Sequence, residues 1–161
     1  MMNPVSGLLT SMLVVAGLLG AGCATSQTTT TPSGAPLARQ LTQSAHCGLI
    51  ASGHIHLTDR SEVDQLAELP GASLSLTPLR DIDFDREHVV VVSLGQKRTG
   101  GYSVTLVDSR IRNGQLELIV HIREPAPGAM VTQALTTPCA VMAVAATGWD
   151  GILITEPENK R

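Results

Sequence analysis

Hydrophobic and polar residues alternate along several short segments of this chain, which is the pattern of β-strands. Residues 89–95, VVVVSLG, differ because four valines follow one another. A short unbroken apolar run is typical of a central strand that is buried on both faces. Further strands are predicted over residues 48–58, 105–112, 115–122, 139–147 and 151–155. The pattern therefore predicts a mainly β (α+β) fold, with a compact antiparallel sheet or sandwich-like domain and one short helix.

The helix is predicted to follow the first of these strands. Asp59 and, three residues later, Glu62 have the spacing of a helix N-terminus. Pro70-Gly71 marks the expected end. Apolar residues between these points repeat at helical spacing, at Val63, Leu66 and Ala67. We expect this face to cover an apolar surface.

A β-hairpin is predicted at Asn113-Gly114, because this dipeptide fits a two-residue type I′ turn in which both central residues need positive φ. The turn sets Arg110 opposite Glu117 and Arg112 opposite Gln115. Tyr102, Val104 and Leu106 then alternate out of phase with the rest of their strand, so the strand either is covered on both faces or contains a β-bulge near 108–110. We favour the bulge. The predicted buried side comprises Val107, Ile111, Leu116, Leu118, Val120 and Ile122.

The amino-terminal segment is apolar or small throughout residues 5–24, and no charge occurs before Arg39. Residues 7–22 are shorter than the ~20 residues that span a bilayer as a helix, and they end in small residues and a cysteine. This segment resembles the lipobox of bacterial lipoproteins, in which a signal peptidase cuts before the cysteine and lipid is attached to its thiol. A plain signal peptide, or an uncleaved anchor over about 5–25, remains an alternative.

The lipobox resemblance implies a lipoprotein signal peptide over residues 1–22 and lipidation of Cys23, with palmitate-type acyl chains that anchor the chain durably. Ala24 follows the cysteine, and the absence of Asp at that position resembles the outer-membrane sorting pattern. We therefore expect a lipid-anchored protein of the bacterial cell envelope, in the outer membrane and facing the periplasm.

Residues 23–44 are rich in Thr, Ser, Pro and Gln and have almost no large apolar side chains. Such a segment cannot bury enough apolar surface to offset the entropy cost of ordering. We predict a flexible tether that is semi-extended at Pro32 and Pro36, followed by the folded domain over residues 45–157.

Two cysteines, Cys47 and Cys139, remain once Cys23 is lipidated. In an oxidising compartment a pair is more often bridged than free, so we predict a disulfide bond between them. The alternative is two small buried residues that never meet. Metal binding is less favoured because neither cysteine has a C-x-x-C or matching histidine spacing.

Charge and aromatic content argue against nucleic-acid binding. The formal net charge of −3 provides no broad positive field. The chain has one Phe, one Tyr and one Trp, too few for a platform on which bases stack. We predict no nucleic-acid partner.

Catalytic signatures are also missing. The sequence has no G-x-S-x-G, no H-E-x-x-H and no Walker loop outside the leader. Asp81, Asp83 and Asp85 are spaced like the start of a calcium loop, but Arg86 stands where glycine is needed and Val92 where the bidentate glutamate belongs. We therefore predict a solvated acidic edge and a protein that is not an enzyme.

The histidines raise the question of a metal site. His54 and His56 lie on one face of the first predicted strand, and a third ligand such as His88 or His121 would have to come from elsewhere. An exposed polar face explains both side chains, so we predict no metal and no cofactor.

The segment Lys97–Tyr102, KRTGGY, is the strongest candidate for recognition. Lys97 and Arg98 are poor core residues, and Gly100-Gly101 permits positive φ or a close approach of another chain. Tyr102 offers both a ring and a hydroxyl. The alternative is a tight turn whose glycines are steric and whose tyrosine packs inward. We predict a partner-binding loop comprising Lys97, Arg98, Thr99, Gly100, Gly101 and Tyr102.

Several segments resemble the carboxy-terminal domain of the PrcB family, which is named for a subunit of a bacterial surface protease complex. The shared pieces are Asp83-Phe84, the Thr99–Tyr102 turn and residues 130–135 before Pro138, and the likeness covers residues 48–155. The resemblance implies a lipid-anchored accessory domain that binds and stabilises partner proteins and has no established catalytic residues.

These observations predict an envelope lipoprotein that acts as a non-catalytic protein-interaction module and stabilises a protease or another envelope complex. Residues 127–135, PGAMVTQAL, are the expected neighbours of the loop. An alternative is a protease inhibitor, because the Thr99–Tyr102 turn is similar to the Thr-Gly-Tyr loop of chagasin-like inhibitors. A hydrolase assembled from distant residues ranks third.

Overall fold

The structure, a computed structural model, describes residues 36–157. Within this range seven strands, one α-helix and a short 3-10 helix (Thr77–Leu79) follow one another. The mainly β fold with one short helix is thereby confirmed. In chain order the elements are β1 (Ala38–Ser44), β2 (Ser52–Leu57), α1 (Arg60–Ala67), β3 (Glu87–Leu94), β4 (Ser103–Arg112), β5 (Gln115–Arg123), β6 (Cys139–Ala145) and β7 (Gly151–Thr155).

The strands form two sheets. The four-stranded sheet has the order β1-β6-β3-β2 and is antiparallel throughout, and the three-stranded sheet has the order β4-β5-β7. The expectation of purely antiparallel pairing is wrong for β7, which runs parallel to β5. Between β5 and β7 the chain passes through β6 in the other sheet, so β7 enters its own sheet in the same direction as β5.

The core has two halves, one on each face of the four-stranded sheet. Val89 and Val91 of β3 pack in the half covered by α1 and the loops, whereas Val90 and Val92 pack against the three-stranded sheet. All four valines are buried. This double burial is the physical reason for the unbroken valine run, and the prediction of a central strand is confirmed.

The start of α1 follows the predicted capping pattern. The Asp59 carboxylate accepts a hydrogen bond from the backbone N–H of Glu62 at 3.0 Å. The Glu62 carboxylate in turn accepts from the backbone N–H of Thr58 at 2.6 Å. Val63 and Leu66 are buried against the sheet. The helix is therefore fixed at its first turn and along one apolar face.

The predicted hairpin is present, with φ of 52° at Asn113 and 78° at Gly114 and with the expected pairs across the turn. The bulge lies between Leu106 and Asp108, so Val107 is the extra residue. Val107 is 57% exposed and Ile111 is 40% exposed, and the prediction that they are buried is wrong. The bulge turns Val107 outward, and Ile111 lies near the end of the sheet, where cover is incomplete.

Strand β1 corrects the predicted tether. Residues 38–44, expected to be flexible, pair with β6 from Ala38 opposite Val144 to Ser44 opposite Cys139. Leu37 and Leu41 pack against the two halves of the core. The segment is polar by composition, but pairing with a buried strand satisfies its backbone, which composition does not report.

Several predictions lie outside the described residues. These are the signal peptide over 1–22, lipidation of Cys23, and the part of the tether before residue 36. Across residues 36–157 no helix combines the length and the hydropathy needed to cross a bilayer.

Candidate protein-interaction surface

The two sheets meet differently along their two sides. On one side, which we call the closed edge, β1 lies beside β4. The side-chain carbonyl oxygen of Gln40 accepts a hydrogen bond from the backbone N–H of Leu106 at 2.8 Å. That of Gln43 accepts from the Thr105 hydroxyl at 3.2 Å. Two glutamine side chains thus join the sheets where no backbone ladder does.

On the other side, which we call the open edge, β2 and β7 border a cavity of about 630 Å³. Its walls are apolar and come from β3, β5 and β7, and its rim carries both signs of charge. The apolar walls include Val92, Leu94, Val120, Ile122 and Ile154, and the rim includes His54, Lys97, Glu124 and Glu156. The open edge therefore offers a concave, mainly apolar surface.

The predicted recognition loop crosses the end of the sandwich beside this cavity. The backbones of Lys97 and Thr136 exchange two hydrogen bonds, at 2.8 and 2.9 Å. The N–H of Gly100 donates to the carbonyl of Thr132 at 2.9 Å, and the Thr136 hydroxyl donates to the carbonyl of Thr99 at 2.8 Å. The loop is therefore fixed to Thr132, which lies within the predicted neighbouring segment 127–135, and to Thr136, which lies one residue beyond it.

Gly101 shows why this turn contains glycine. Its φ is +91°, a conformation that L side chains rarely adopt. A Cβ atom there would lie 3.1 Å from Cγ1 of Val131 and 3.2 Å from Cβ of Pro125. Gly101 thus meets the first condition predicted from the sequence, positive φ, and the segment that leaves no room for a side chain belongs to the same chain.

Lys97 and Tyr102 contact each other across the turn. The ammonium of Lys97 lies 5.1 Å from the centroid of the Tyr102 ring, within the range of a cation–π interaction. Tyr102 is half-buried, whereas Arg98 is exposed. Tyr102 therefore fits the steric interpretation, in which the tyrosine packs inward. Arg98 is directed at solvent and fits the recognition interpretation.

The segment bonded to the loop adds exposed apolar side chains. Met130 is fully exposed, and Leu135 is 62% exposed. We call residues 97–102 together with 130–136 the loop surface. Methionine and arginine are among the residue types that are enriched at protein interfaces.

The predicted disulfide bond between Cys47 and Cys139 is present, with 6.1 Å between the Cα atoms. Both cysteines are buried. Nearby, the N–H of Cys47 donates to the carbonyl of Thr137 at 3.0 Å, and the N–H of Leu94 donates to the carbonyl of Pro138 at 2.9 Å. The disulfide therefore fixes the chain where the segment of the loop surface enters β6.

At the opposite end of the sandwich, three rings form a cluster that the sequence did not predict. Nε2 of His56 lies 3.0 Å from Nδ1 of His88. The Trp149 ring centroid lies 5.3 Å from that of His56 and 6.4 Å from that of His88. His54 is exposed as predicted, but His56 is partly buried, so the exposed polar face accounts for only one of the two.

The environment of His56 shifts its titration. Burial lowers the pKa of His56, and repulsion from His88 lowers it further. Glu62 raises this pKa and His54 lowers it, and both effects are smaller than that of burial. The neutral imidazole is therefore the form of His56 that the fold favours.

The acidic and histidine residues do not assemble a metal centre. Over residues 36–157 no group of three or more His, Cys, Asp or Glu side chains is placed to hold a metal ion. The Asp83 carboxylate instead accepts from the N–H of Asp85 at 3.1 Å within a turn. His88, and not His121, is the histidine that reaches His56.

Comparison with known proteins identifies one family. Residues 88–145 match the sequence model of a family described as PrcB C-terminal. The matched span runs from β3 into β6 and contains the whole loop surface. The resemblance to the PrcB family is confirmed for these residues. No curated protein and no solved structure matches the chain.

Proposed function

We propose that this chain is a lipoprotein of the bacterial cell envelope whose folded domain is a non-catalytic protein-interaction module. Cys23 carries the lipid, the domain faces the periplasm from the outer membrane, and the loop surface binds and stabilises a protease or another envelope complex. The family match supports this proposal, because PrcB is named for a subunit of a protease complex.

The observation that carries the proposal is the rigidity of the loop surface. Its two segments are joined by the backbone pair between Lys97 and Thr136 and by the bond from Gly100 to Thr132. Met130 and Leu135 remain exposed on this frame. A surface that is already ordered loses little conformational entropy on binding, so its exposed apolar groups contribute more of their burial energy to affinity.

The direction of the strands also supports the proposal. Strand β6 begins with Cys139 next to the loop surface and ends with Ala145 at the opposite end of the domain. Ala38 pairs with Val144 near that far end, so the chain enters the domain there. A lipid anchor that precedes β1 is therefore attached at the end away from the loop surface, which stays available to a partner.

The inhibitor alternative requires the Thr99–Tyr102 turn to enter a protease cleft. Thr99 and Gly100 use their backbone groups to bond Thr136 and Thr132, and Val131 leaves no room for a side chain at Gly101. An inhibitory loop of this kind would have to bind through Arg98 and the exposed flank of the turn. We therefore rank inhibition below partner stabilisation.

The interaction is tested with a variant of three exposed residues, Arg98→Ser, Met130→Ser and Leu135→Ser. A matched control replaces one arginine and two apolar residues elsewhere: Arg112→Ser, Val107→Ser and Leu153→Ser. Each full-length chain is cross-linked in native envelopes, and its products are identified by mass spectrometry. We expect a protein adduct with the wild type and the control, and its loss with the loop-surface variant at an unchanged melting temperature.

The same adduct at the same yield from both variants would contradict the proposed contact. The role is tested separately by adding the purified chain to the captured protease and to panels of cysteine and serine proteases. A stabilising module leaves the activity unchanged or longer-lived, whereas a dose-dependent loss of activity would favour the inhibitor. Anchoring is tested by Cys23→Ser, which should release the chain from the membrane fraction and abolish the acyl mass.

A further inference from the structure

The contact between His56 and His88 depends on the number of protons that the two rings carry. Nε2 of His56 and Nδ1 of His88 are 3.0 Å apart, which is hydrogen-bond distance. One of these nitrogens must carry a hydrogen, and the other must offer a lone pair. The pair therefore needs one proton between the rings.

A first additional proton leaves this bond intact. It binds an outer nitrogen, either Nδ1 of His56 or Nε2 of His88, and the N–H···N contact between the rings remains. A second additional proton must occupy the lone pair that accepts the bond. Two N–H groups on two cations then face each other at 3.0 Å, and the rings must separate.

Trp149 makes this contact a link between the two sheets. His56 belongs to β2 and His88 to β3, whereas Trp149 precedes β7 of the other sheet. The Trp149 ring packs on both imidazoles and donates its N–H to the carbonyl of Ala145 at 2.8 Å. The cluster thus lies on the open edge, at the end away from the loop surface.

The charges that act on His56 do not favour its protonation as a whole. Glu62 at the start of α1 favours the charged form of His56, whereas His54 on the same strand disfavours it. Burial and repulsion from His88 also act against the charge, and both effects are larger than that of Glu62. A second cation on the facing ring adds to this repulsion at contact distance.

We propose that the cluster of His56, His88 and Trp149 is a proton-sensitive contact. It holds β2 and β3 to the turn before β7 at neutral pH, and it separates when both imidazoles are protonated. Separation at this end lengthens the opening between β2 and β7 toward the existing cavity. Acidification then loosens the open edge while the closed edge, held by Gln40 and Gln43, stays in place.

Trp149 provides the measurement, because it is the only tryptophan of the chain. The full-length chain is titrated from pH 8 to pH 4 while tryptophan emission and far-UV circular dichroism are recorded. We expect the emission to decrease and its maximum to shift to longer wavelength on acidification, because imidazolium quenches the indole and separation exposes it. The far-UV signal of the strands should remain.

Three variants assign the transition. His56→Gln and His88→Gln should each abolish the red shift between pH 7 and pH 4.5, because neither variant can hold two facing cations. His54→Gln is the matched control, because it changes an exposed histidine on the same strand, and its emission should follow that of the wild type. A wild-type emission maximum that is constant over this range would overturn the proposal, as would a red shift that persists in the His88→Gln variant.

Nitrogen-detected NMR of the wild-type imidazoles tests the proposal without any substitution. The signals of the two facing nitrogens, Nε2 of His56 and Nδ1 of His88, should change together, and the indole N–H of Trp149 should move with them. An indole N–H signal that does not follow these nitrogens would refute the coupling. A red shift that appears only with loss of the far-UV signal would also refute it, because it would report global unfolding.

Discussion

The closed and open edges of the sandwich differ in the groups that join the two sheets. Both sheets end in edge strands whose outer backbone groups need partners. At the closed edge, Gln40 reaches from β1 to the backbone of β4. At the open edge, β2 and β7 border a cavity, and their link is the ring cluster around Trp149. One edge is sealed by amide side chains, and the other is joined by the rings of His56, His88 and Trp149.

Because the two edges are joined differently, we expect them to contribute differently to stability and to binding. The closed edge adjoins the disulfide, since Ser44 of β1 pairs with Cys139. The open edge carries exposed residues of β2 and adjoins the loop surface through Lys97. We expect substitutions at the closed edge to change stability, and substitutions at the open edge to change binding and pH response.

Removing the disulfide bond, which adjoins the closed edge, should lower stability more than any other substitution proposed below. Replacing Cys47 and Cys139 with alanine should lower the free energy of unfolding by about 2–5 kcal/mol, because the unfolded chain regains the freedom of a long loop. Urea unfolding of the oxidised and variant proteins measures the change. Cys23→Ala serves as the control and should leave the midpoint unaltered. Equal midpoints for the oxidised and disulfide-free chains would disprove the structural role of the bond.

Gly101→Ala should come next, at about 1–3 kcal/mol of lost stability, since the residue is held at positive φ. Gly128→Ala is the matched control, with a φ of +78° and no atom within 4 Å of its added Cβ. The excess cost of the Gly101 variant measures the crowding of the added Cβ against Val131 and Pro125. If both variants unfold at the same urea concentration, this crowding has no energetic cost.

Gln40→Ala should cost about 1 kcal/mol, because the N–H of Leu106 loses its acceptor at a partly buried site. Hydrogen exchange of the Leu106 amide measures this locally and should accelerate. His54→Ala at the open edge is the comparison and should change stability by less than about 0.5 kcal/mol. Protection of Leu106 that survives in the Gln40 variant would argue against the proposed closure.

Glu87→Gln should have the smallest effect. The Glu87 carboxylate accepts from Arg39 at 2.7 and 3.0 Å, but both side chains are partly exposed. Pairs of this kind contribute about 0–1 kcal/mol. A thermal scan at low and high salt measures the contribution, and a loss above that of Gln40→Ala would show that charge, and not the amide bonds, secures β1.

The stability of the folded chain should also depend on pH at the open edge. The pKa of His56 is lowered in the folded state, so the unfolded chain takes up a proton near pH 6.5 before the folded chain does. The free energy of unfolding should therefore fall as pH decreases below about 6.5, until the folded-state pKa is reached. Urea midpoints at successive pH values, compared with those of His56→Gln, measure this. If the urea midpoints of the wild type and of His56→Gln changed with pH in parallel, this prediction would be contradicted.

The sequence predicted those parts of the fold whose cause is local. Asn113-Gly114 sets the hairpin because few residues tolerate positive φ, and Asp59 sets the start of α1 because its side chain caps the first turn. The valine run predicts β3 because burial on both faces permits no polar position. Strand β1 could not be predicted this way, since its polar residues become a strand only by pairing with β6.

The candidate surface was only partly predictable, because some of its contacts join segments that are distant in the sequence. The Lys97–Tyr102 loop is identified by its own residues, and its role in binding remains a prediction. The lack of room for a side chain at Gly101 depends on Val131 in a loop that follows β5, about thirty residues later in the chain. The histidine cluster depends on the register of β2 and β3 and on the turn before β7. Such contacts leave no spacing signal in the sequence.

For a lipid-anchored chain, the early start of β1 limits the distance from the bilayer at which the domain can bind a partner. If Cys23 is the acylated residue proposed above, residues 24–37 are the whole connection between lipid and sheet. At ~3.3–3.6 Å per extended residue their reach is no more than roughly 50 Å, whereas a tether to residue 44 would reach roughly 75 Å. Strand β6 spans the distance from the end where the chain enters to the loop surface and adds roughly 20 Å. If the loop surface is the proposed contact, a partner presents its docking site within roughly 70 Å of the bilayer.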